Sequence, residues 1–78
     1  MPEVVRLKRC KICIYPGDHR PSHFHVRGAG WRVAVDLVTF SVRGRGERVA
    51  IEEAIAWART PDNLNRLASE WRRLNERE

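Results

Sequence analysis

The spacing of apolar residues changes once along this 78-residue chain, near residue 48, and this change constrains the fold more than any other feature. Before it, apolar and polar residues alternate as they do in half-buried strands; after it, apolar residues recur at helical spacing. The pattern predicts an α+β fold in which an N-terminal antiparallel sheet of four to five strands (1–48) is covered on one face by two C-terminal helices (49–78). The length fits a single domain.

Turn-forming residues place the element boundaries. The predicted strands cover residues 4–8, 11–15, 22–27, 31–37 and, more briefly, 40–42. Breaks fall at Pro16-Gly17-Asp18 and Gly28-Ala29-Gly30, and residues 43–48 are expected to form a flexible basic loop. The predicted helices cover residues 49–59 and 61–75, with Thr60 as the N-cap of the second helix and Pro61 in its first turn.

Alternation along the strands sorts the side chains onto two faces of the sheet. The apolar set expected under the helices is Val5, Leu7, Ile12, Ile14, Phe24, Val26, Val33, Val35 and Leu37. The set expected on the other face is Arg6, Lys8, Lys11, Cys13, Tyr15, His23, His25, Arg32, Ala34 and Asp36. If residues 27–30 form the hairpin loop, His25 lies opposite Arg32 and His23 opposite Ala34. A one-residue slip of register would move them all to the opposite face.

The positive charge is confined to the first part of the chain. Residues 1–48 carry 10 Lys/Arg and 4 Asp/Glu, for a charge of +6, whereas residues 49–78 carry −1. A polyanion or an acidic protein is the natural partner of such a surface, and a merely solubilising surface is the alternative. No apolar run of about 18 residues and no signal-peptide layout is present, so we expect a cytoplasmic protein without a membrane partner. A core this small could also depend on a partner or on homo-oligomerisation.

Two histidines on one strand are the strongest indication of chemistry. His23 and His25 are two residues apart, so their Cβ atoms should point the same way, roughly 6–7 Å apart. Two imidazoles at this spacing could flank a phosphate, one accepting a proton from a ribose 2′-hydroxyl and the other protonating the leaving oxygen. Arg20 or Arg32 could hold the phosphate, and Asp36 could orient a ring. The alternatives are solvated histidines, or phosphate binding without turnover.

Metal binding is the less favoured interpretation of the same segment. The histidine pair, with His19 or Asp18 from the preceding loop, could ligate zinc, but the surrounding cations disfavour a bound dication, so we expect no metal cofactor. Cys10 and Cys13 form a C-x-x-C motif. On a hairpin, residues three apart point to opposite faces, and no second such motif exists, so we expect two reduced, unligated thiols.

Several segments together resemble a known family. They are Met1-Pro2-Glu3-Val4-Val5-Arg6, Ile14-Tyr15, Asp18-His19-Arg20-Pro21-Ser22-His23-Phe24-His25-Val26 and Val35-Asp36-Leu37. In this order they resemble a family of small bacterial proteins catalogued as a domain of unknown function, some of which are dual-histidine toxins of type II toxin–antitoxin modules. The resemblance covers nearly the whole chain, and it implies a neighbouring gene for a small antitoxin. It also implies that His23 and His25 are the named pair, with His19 the next match.

The leading hypothesis is a toxin whose basic, histidine-bearing face binds RNA, most simply as a metal-independent ribonuclease. The catalytic candidates are His19, His23 and His25; the binding candidates are Arg6, Lys8, Tyr15, Arg20, Arg32 and Asp36. An acidic antitoxin segment lying across this face is the expected mode of neutralisation. The alternatives are a module that binds nucleic acid or protein without turnover, a metal-binding protein, and a subunit whose histidines belong to the antitoxin interface.

Overall fold

The computed structural model describes residues 3–76 as a five-stranded antiparallel sheet followed by two helices, which confirms the predicted α+β fold. In the sheet, each strand lies beside the strand that follows it in the chain. The strands are β1 (Glu3–Arg6), β2 (Lys11–Cys13), β3 (His23–Gly28), β4 (Trp31–Asp36) and β5 (Val42–Arg43), and the helices are α1 (Arg48–Arg59) and α2 (Pro61–Asn75). Over residues 3–76 neither helix is long and apolar enough to cross a membrane.

Backbone turns make two strands shorter than the alternation predicts, one at its end and the other at its start. The amide of Leu7 donates to the carbonyl of Cys10, which closes the β1–β2 turn, so β1 ends at residue 6 and not at residue 8. After β4, the amide of Phe40 donates to the carbonyl of Asp36, and Phe40 has a φ of 61°. That left-handed conformation is incompatible with a strand, so β5 begins at residue 42 and not at residue 40.

The predicted register of the β3–β4 hairpin is wrong by two residues. The turn is only Ala29-Gly30, with Gly30 at a φ of 78°, and Gly28 pairs with Trp31. Glycine in the second position of this turn supplies the positive φ, which other residues rarely adopt, so two residues are enough to connect the strands. His25 therefore lies opposite Ala34 and His23 opposite Asp36. Because the shift is an even number of residues, both histidines stay on the predicted face.

The core lies between the sheet and the helices. Seven of the predicted inward residues are buried, and Val5 and Leu7 pack against them partly exposed; the seven are Ile12, Ile14, Phe24, Val26, Val33, Val35 and Leu37. The small residues Ala50, Ala54 and Ala58 form the buried stripe of α1, and Leu67 and Trp71 are the buried residues of α2. Burial of this apolar surface holds the two layers together.

The start of α2 agrees with the prediction in position but not in its capping bond. Thr60 is the N-cap residue and Pro61 the first helical residue. The Thr60 hydroxyl, however, donates to the carbonyl of Ala56 at 3.4 Å and makes no cap to α2. Thr60 also terminates α1, so its hydroxyl lies within reach of the last turn of that helix and bonds there.

Candidate functional site

Four cations lie side by side across the face of the sheet that points away from the helices. Arg6 pairs with Lys11, Lys11 with Arg27, and Arg27 with Arg32. Directly paired residues of neighbouring antiparallel strands project from the same face, with Cβ atoms about 5 Å apart. These four side chains, here named the cationic row, therefore form a continuous line of roughly 14 Å across four strands.

The charges of the cationic row are mostly uncompensated. Arg6 lies 3.6 Å from the carboxylate of Glu3, and the guanidinium of Arg27 donates to the hydroxyl of Tyr15 at 3.2 Å. Within residues 3–76, no carboxylate lies at ion-pair distance from Lys11, Arg27 or Arg32. Since like charges directly opposite one another destabilise a sheet, the row lowers the stability of the isolated domain.

The sequence predicted only part of the row. Arg6, Lys11 and Arg32 were expected on this face, but the four-residue loop removed Arg27 from it. A two-residue turn at Ala29-Gly30, with glycine in its second position, is the signal that would have returned Arg27 to the strand. Lys8 is exposed but lies in the turn after β1, outside the row.

The two histidines lie further along β3 from the row. Their ring centroids are 5.0 Å apart, the ring of Tyr15 lies 4.8 Å from that of His25, and the ring of Trp71 lies 5.0 Å from that of His23. The side chains of His23 and His25 are only 21% and 14% exposed. The two imidazoles are therefore packed against neighbouring side chains and are not the solvated histidines of the alternative hypothesis.

Asp18 connects the two rings. Its Oδ2 atom lies 3.2 Å from Nε2 of His23 and 3.2 Å from Nε2 of His25. We name Asp18, His23 and His25 the histidine cluster. The carboxylate thus occupies the space between the imidazoles in which the metal-independent mechanism would place a phosphate.

Helix α2 holds the loop that carries Asp18. The side-chain carbonyl of Asn75 accepts the backbone N–H of Asp18 at 2.8 Å, and its amide donates to the carbonyl of Tyr15 at 3.1 Å. Arg20 in the same loop pairs with Glu76. The loop is therefore anchored to the C-terminal end of the chain on both sides of Asp18.

The hydrogen bonds of the two imidazoles differ. Nδ1 of His23 lies 2.9 Å from the carbonyl of Pro21, which can only accept, so this nitrogen carries a hydrogen. Nδ1 of His25 is buried without a hydrogen-bond partner among residues 3–76. Burial lowers the pKa of His25, and the hydrogen bond and negative charge of Asp18 oppose that shift.

An open pocket of about 230 Å³ adjoins the histidine cluster. Its charged and titratable lining residues are Asp18, His19, Arg20, His23, Asp36 and Arg43. The charges of the two arginines and the two carboxylates cancel, so the pocket lining has no net charge apart from that of its histidines. His19 and His23 both line this pocket, whereas His25 does not. Sequence reasoning missed Arg43 because it assigned that residue to a free loop, and the structure places it in β5 opposite Ala34.

The sequence predicts that Asp36 orients a histidine ring, but its hydrogen bonds go to the backbone instead. Its Oδ1 atom accepts the backbone N–H groups of Val38 at 2.7 Å and Thr39 at 2.9 Å. These bonds, that of Thr39 first, lower the pKa of the Asp36 carboxyl and stabilise the turn after β4. The carboxylate that contacts the rings is Asp18.

The two cysteines lie on opposite sides of the sheet, as predicted. Cys10 belongs to the core under the helices, where its thiol lies 3.5 Å from the carbonyl of Ala50. Burial and the nearby Glu53 carboxylate raise the pKa of Cys10 to about 11. Cys13 is buried beside His25 on the other face, and both cysteines are free thiols.

Comparison of the chain with protein-family models, with curated proteins and with solved structures finds no match. The resemblance of the histidine segment to dual-histidine toxins therefore stays a prediction.

Proposed function

We propose that this protein is the toxin of a type II toxin–antitoxin module and that it binds single-stranded RNA along the cationic row. The row is the observation that supports this function. Four like charges opposite one another lower the stability of the free domain, and a polyphosphate chain is a partner that would neutralise several of them together.

The position of the row also suits RNA processing. His25 is two residues along β3 from Arg27, or roughly 7 Å, and the pocket lies beyond it. An RNA strand bound to the row could thus extend one phosphodiester toward the pocket. There Arg20 and Arg43 could hold the phosphoryl oxygens by charge-assisted hydrogen bonds.

Cleavage in this pocket needs a proton acceptor. His19 is exposed and lines the pocket, and among residues 3–76 its ring forms no ion pair with the Asp18 carboxylate, which contacts His23 and His25 instead. It could accept the proton of a ribose 2′-hydroxyl while the 2′-oxygen bonds to phosphorus and the bond to the 5′-oxygen breaks, with solvent protonating the leaving oxygen. A module that binds RNA without turnover differs in yielding no broken strand.

Salt-dependent RNA binding tests the role of the row. For single strands, the slope of log K against log salt is about −0.7 per neutralised phosphate, so four cations predict a slope near −2.8. Arg32→Gln should reduce its magnitude by about 0.7. Arg72→Gln, which removes an exposed arginine from α2, is the matched control and should leave the slope unchanged. Equal slopes for wild type and Arg32→Gln would contradict the proposal.

Growth after induction in bacteria tests the toxin role. The wild type should arrest growth, and the Arg27→Gln/Arg32→Gln double variant at matched expression should not. The integrity of cellular RNA after induction then separates an enzyme, which breaks strands, from a binding module, which does not. Growth unaffected by the wild type would count against a toxin in that host.

A further inference from the structure

We propose that Asp18, His23 and His25 bind one divalent transition-metal ion, and that Zn²⁺ fits the site best. One ligand atom from each residue lies within 4.8 Å of the other two. Oδ2 of Asp18 is 3.2 Å from each of the two Nε2 atoms. Tetrahedral zinc with bonds of about 2.1 Å separates its ligand atoms by about 3.4 Å, so two of the three separations are already close to what the ion requires.

The hydrogen bonds around His23 point to a cation at this place. Nδ1 of His23 donates to the carbonyl of Pro21, so in the neutral ring Nε2 has only a lone pair. That lone pair faces the Asp18 carboxylate oxygen, another acceptor, at 3.2 Å. Either a second proton on the ring or a metal ion bound by both atoms resolves this opposition, and the Zn²⁺ titration below distinguishes the two. In addition, a ring N–H bonded to a backbone carbonyl is the usual outer arrangement of a metal-binding imidazole.

The elements that carry the ligands are firmly held. His23 and His25 lie on β3, a strand paired on both sides, and their side chains are mostly buried. Asp18 lies on a loop, but Asn75 holds its backbone N–H and Glu76 pairs with Arg20 two residues later. Ligands held in this way need little rearrangement to accept an ion.

The charges around the histidine cluster oppose a bound dication less than the sequence predicts. Arg20 and Arg43 line the pocket beside the cluster, but Arg20 pairs with Glu76, and the two carboxylates of the pocket balance its two arginines. The ligand set itself contains a carboxylate in contact with both imidazoles. A dication would also change the balanced pocket to a net positive one. A net positive pocket would attract a phosphodiester, which bears on the proposed RNA function. Metal binding itself does not depend on that function.

Three protein ligands leave a fourth position for water or a substrate oxygen, as in catalytic zinc sites. Asp18 and His23 both line the pocket that holds His19 and Arg43. The exchangeable position would therefore face the same space as the arginines. A Lewis acid there would polarise a phosphoryl oxygen placed in the pocket.

Titration of the chelator-treated, full-length protein with Zn²⁺ alone, by calorimetry, tests the site. One ion per chain should bind to the wild type. His23→Ala and Asp18→Asn should each weaken binding by more than the roughly 10–100-fold that loss of an outer partner costs. His19→Ala and Cys13→Ala are matched controls and should bind as the wild type does. Circular dichroism of each variant establishes that it is folded.

Either of two results would overturn the metal site: no binding of Zn²⁺ by the wild type at micromolar concentration, or unchanged affinity in folded Asp18→Asn. Nitrogen-15 NMR of the wild-type imidazoles adds a readout without mutation, since coordination should shift Nε2 of both rings and leave His19 unaffected. The RNA slope is measured without metal, so failure of the metal site and failure of RNA binding by the row are distinguishable.

Discussion

Removing one charge from the cationic row should stabilise the domain while weakening RNA binding. Lys11 is the most informative position because it lies between Arg6 and Arg27 in the sheet. Lys11→Gln removes two like-charge pairs and retains the first two of the four methylenes of the side chain, which is partly buried. The substitution therefore removes the charge and keeps the part of the stem next to the sheet.

The magnitude follows from the spacing of the row. Two like unit charges about 5 Å apart in water repel by about 0.8 kcal/mol, which lies within the roughly 0.2–1 kcal/mol that a cross-strand side-chain pair contributes. Glu3 lies near Arg6 and offsets part of one pair. We therefore expect Lys11→Gln to raise the free energy of unfolding by about 1 kcal/mol at low ionic strength. For a domain of this size, that corresponds to a rise in Tm of about 4–8 °C.

Thermal unfolding followed by circular dichroism at 20 mM and 500 mM salt is the assay. The screening length falls below about 10 Å above 0.1 M salt, so the stabilisation should shrink at the higher concentration. Arg72→Gln, outside the row, is the control and should show no such dependence. The reasoning is refuted if Lys11→Gln is no more stable than the wild type at low salt, or if its gain is independent of salt.

Three further substitutions or treatments test other features. A Cβ atom at Gly28 would lie 2.2 Å from Cε2 of Trp31. Gly28→Ala should therefore lower the free energy of unfolding, measured in urea, by about 1–3 kcal/mol. A similar loss in a Trp31→Ala background would show that the clash with the indole is not the cause. The raised pKa of Cys10, about 11 against the usual 9.0, should keep its thiol protonated, so that it reacts slowly with iodoacetamide at pH 8 until the protein unfolds. The free energy of unfolding should fall as the pH rises from 9 toward 11, because the unfolded state loses this proton first. Rapid alkylation of the native thiol would contradict both expectations. Asp36→Ala should lower the Tm by releasing the turn after β4 yet leave Zn²⁺ binding intact, and a loss of Zn²⁺ affinity in calorimetry would place Asp36 in the metal site after all.

The sequence alone determined the elements and the faces of the sheet. Alternating apolar residues predicted the strands and the inward set from Ile12 to Leu37, because burial of one face requires that period. The same alternation placed His23 and His25 together and separated Cys10 from Cys13. These properties depend on whether a residue number is odd or even along a strand, and an error of two residues in register leaves them intact.

Only the tertiary structure decided which side chains meet. The register that brings Arg27 into the cationic row depends on the length of one turn, and strand alternation is the same for a two-residue and a four-residue turn. The contact of Asp18 with both histidines depends on Asn75, 57 residues further along the chain. Local spacing contains no information about such a contact, because it arises only when the packing of α2 on the sheet brings the end of the chain to the loop.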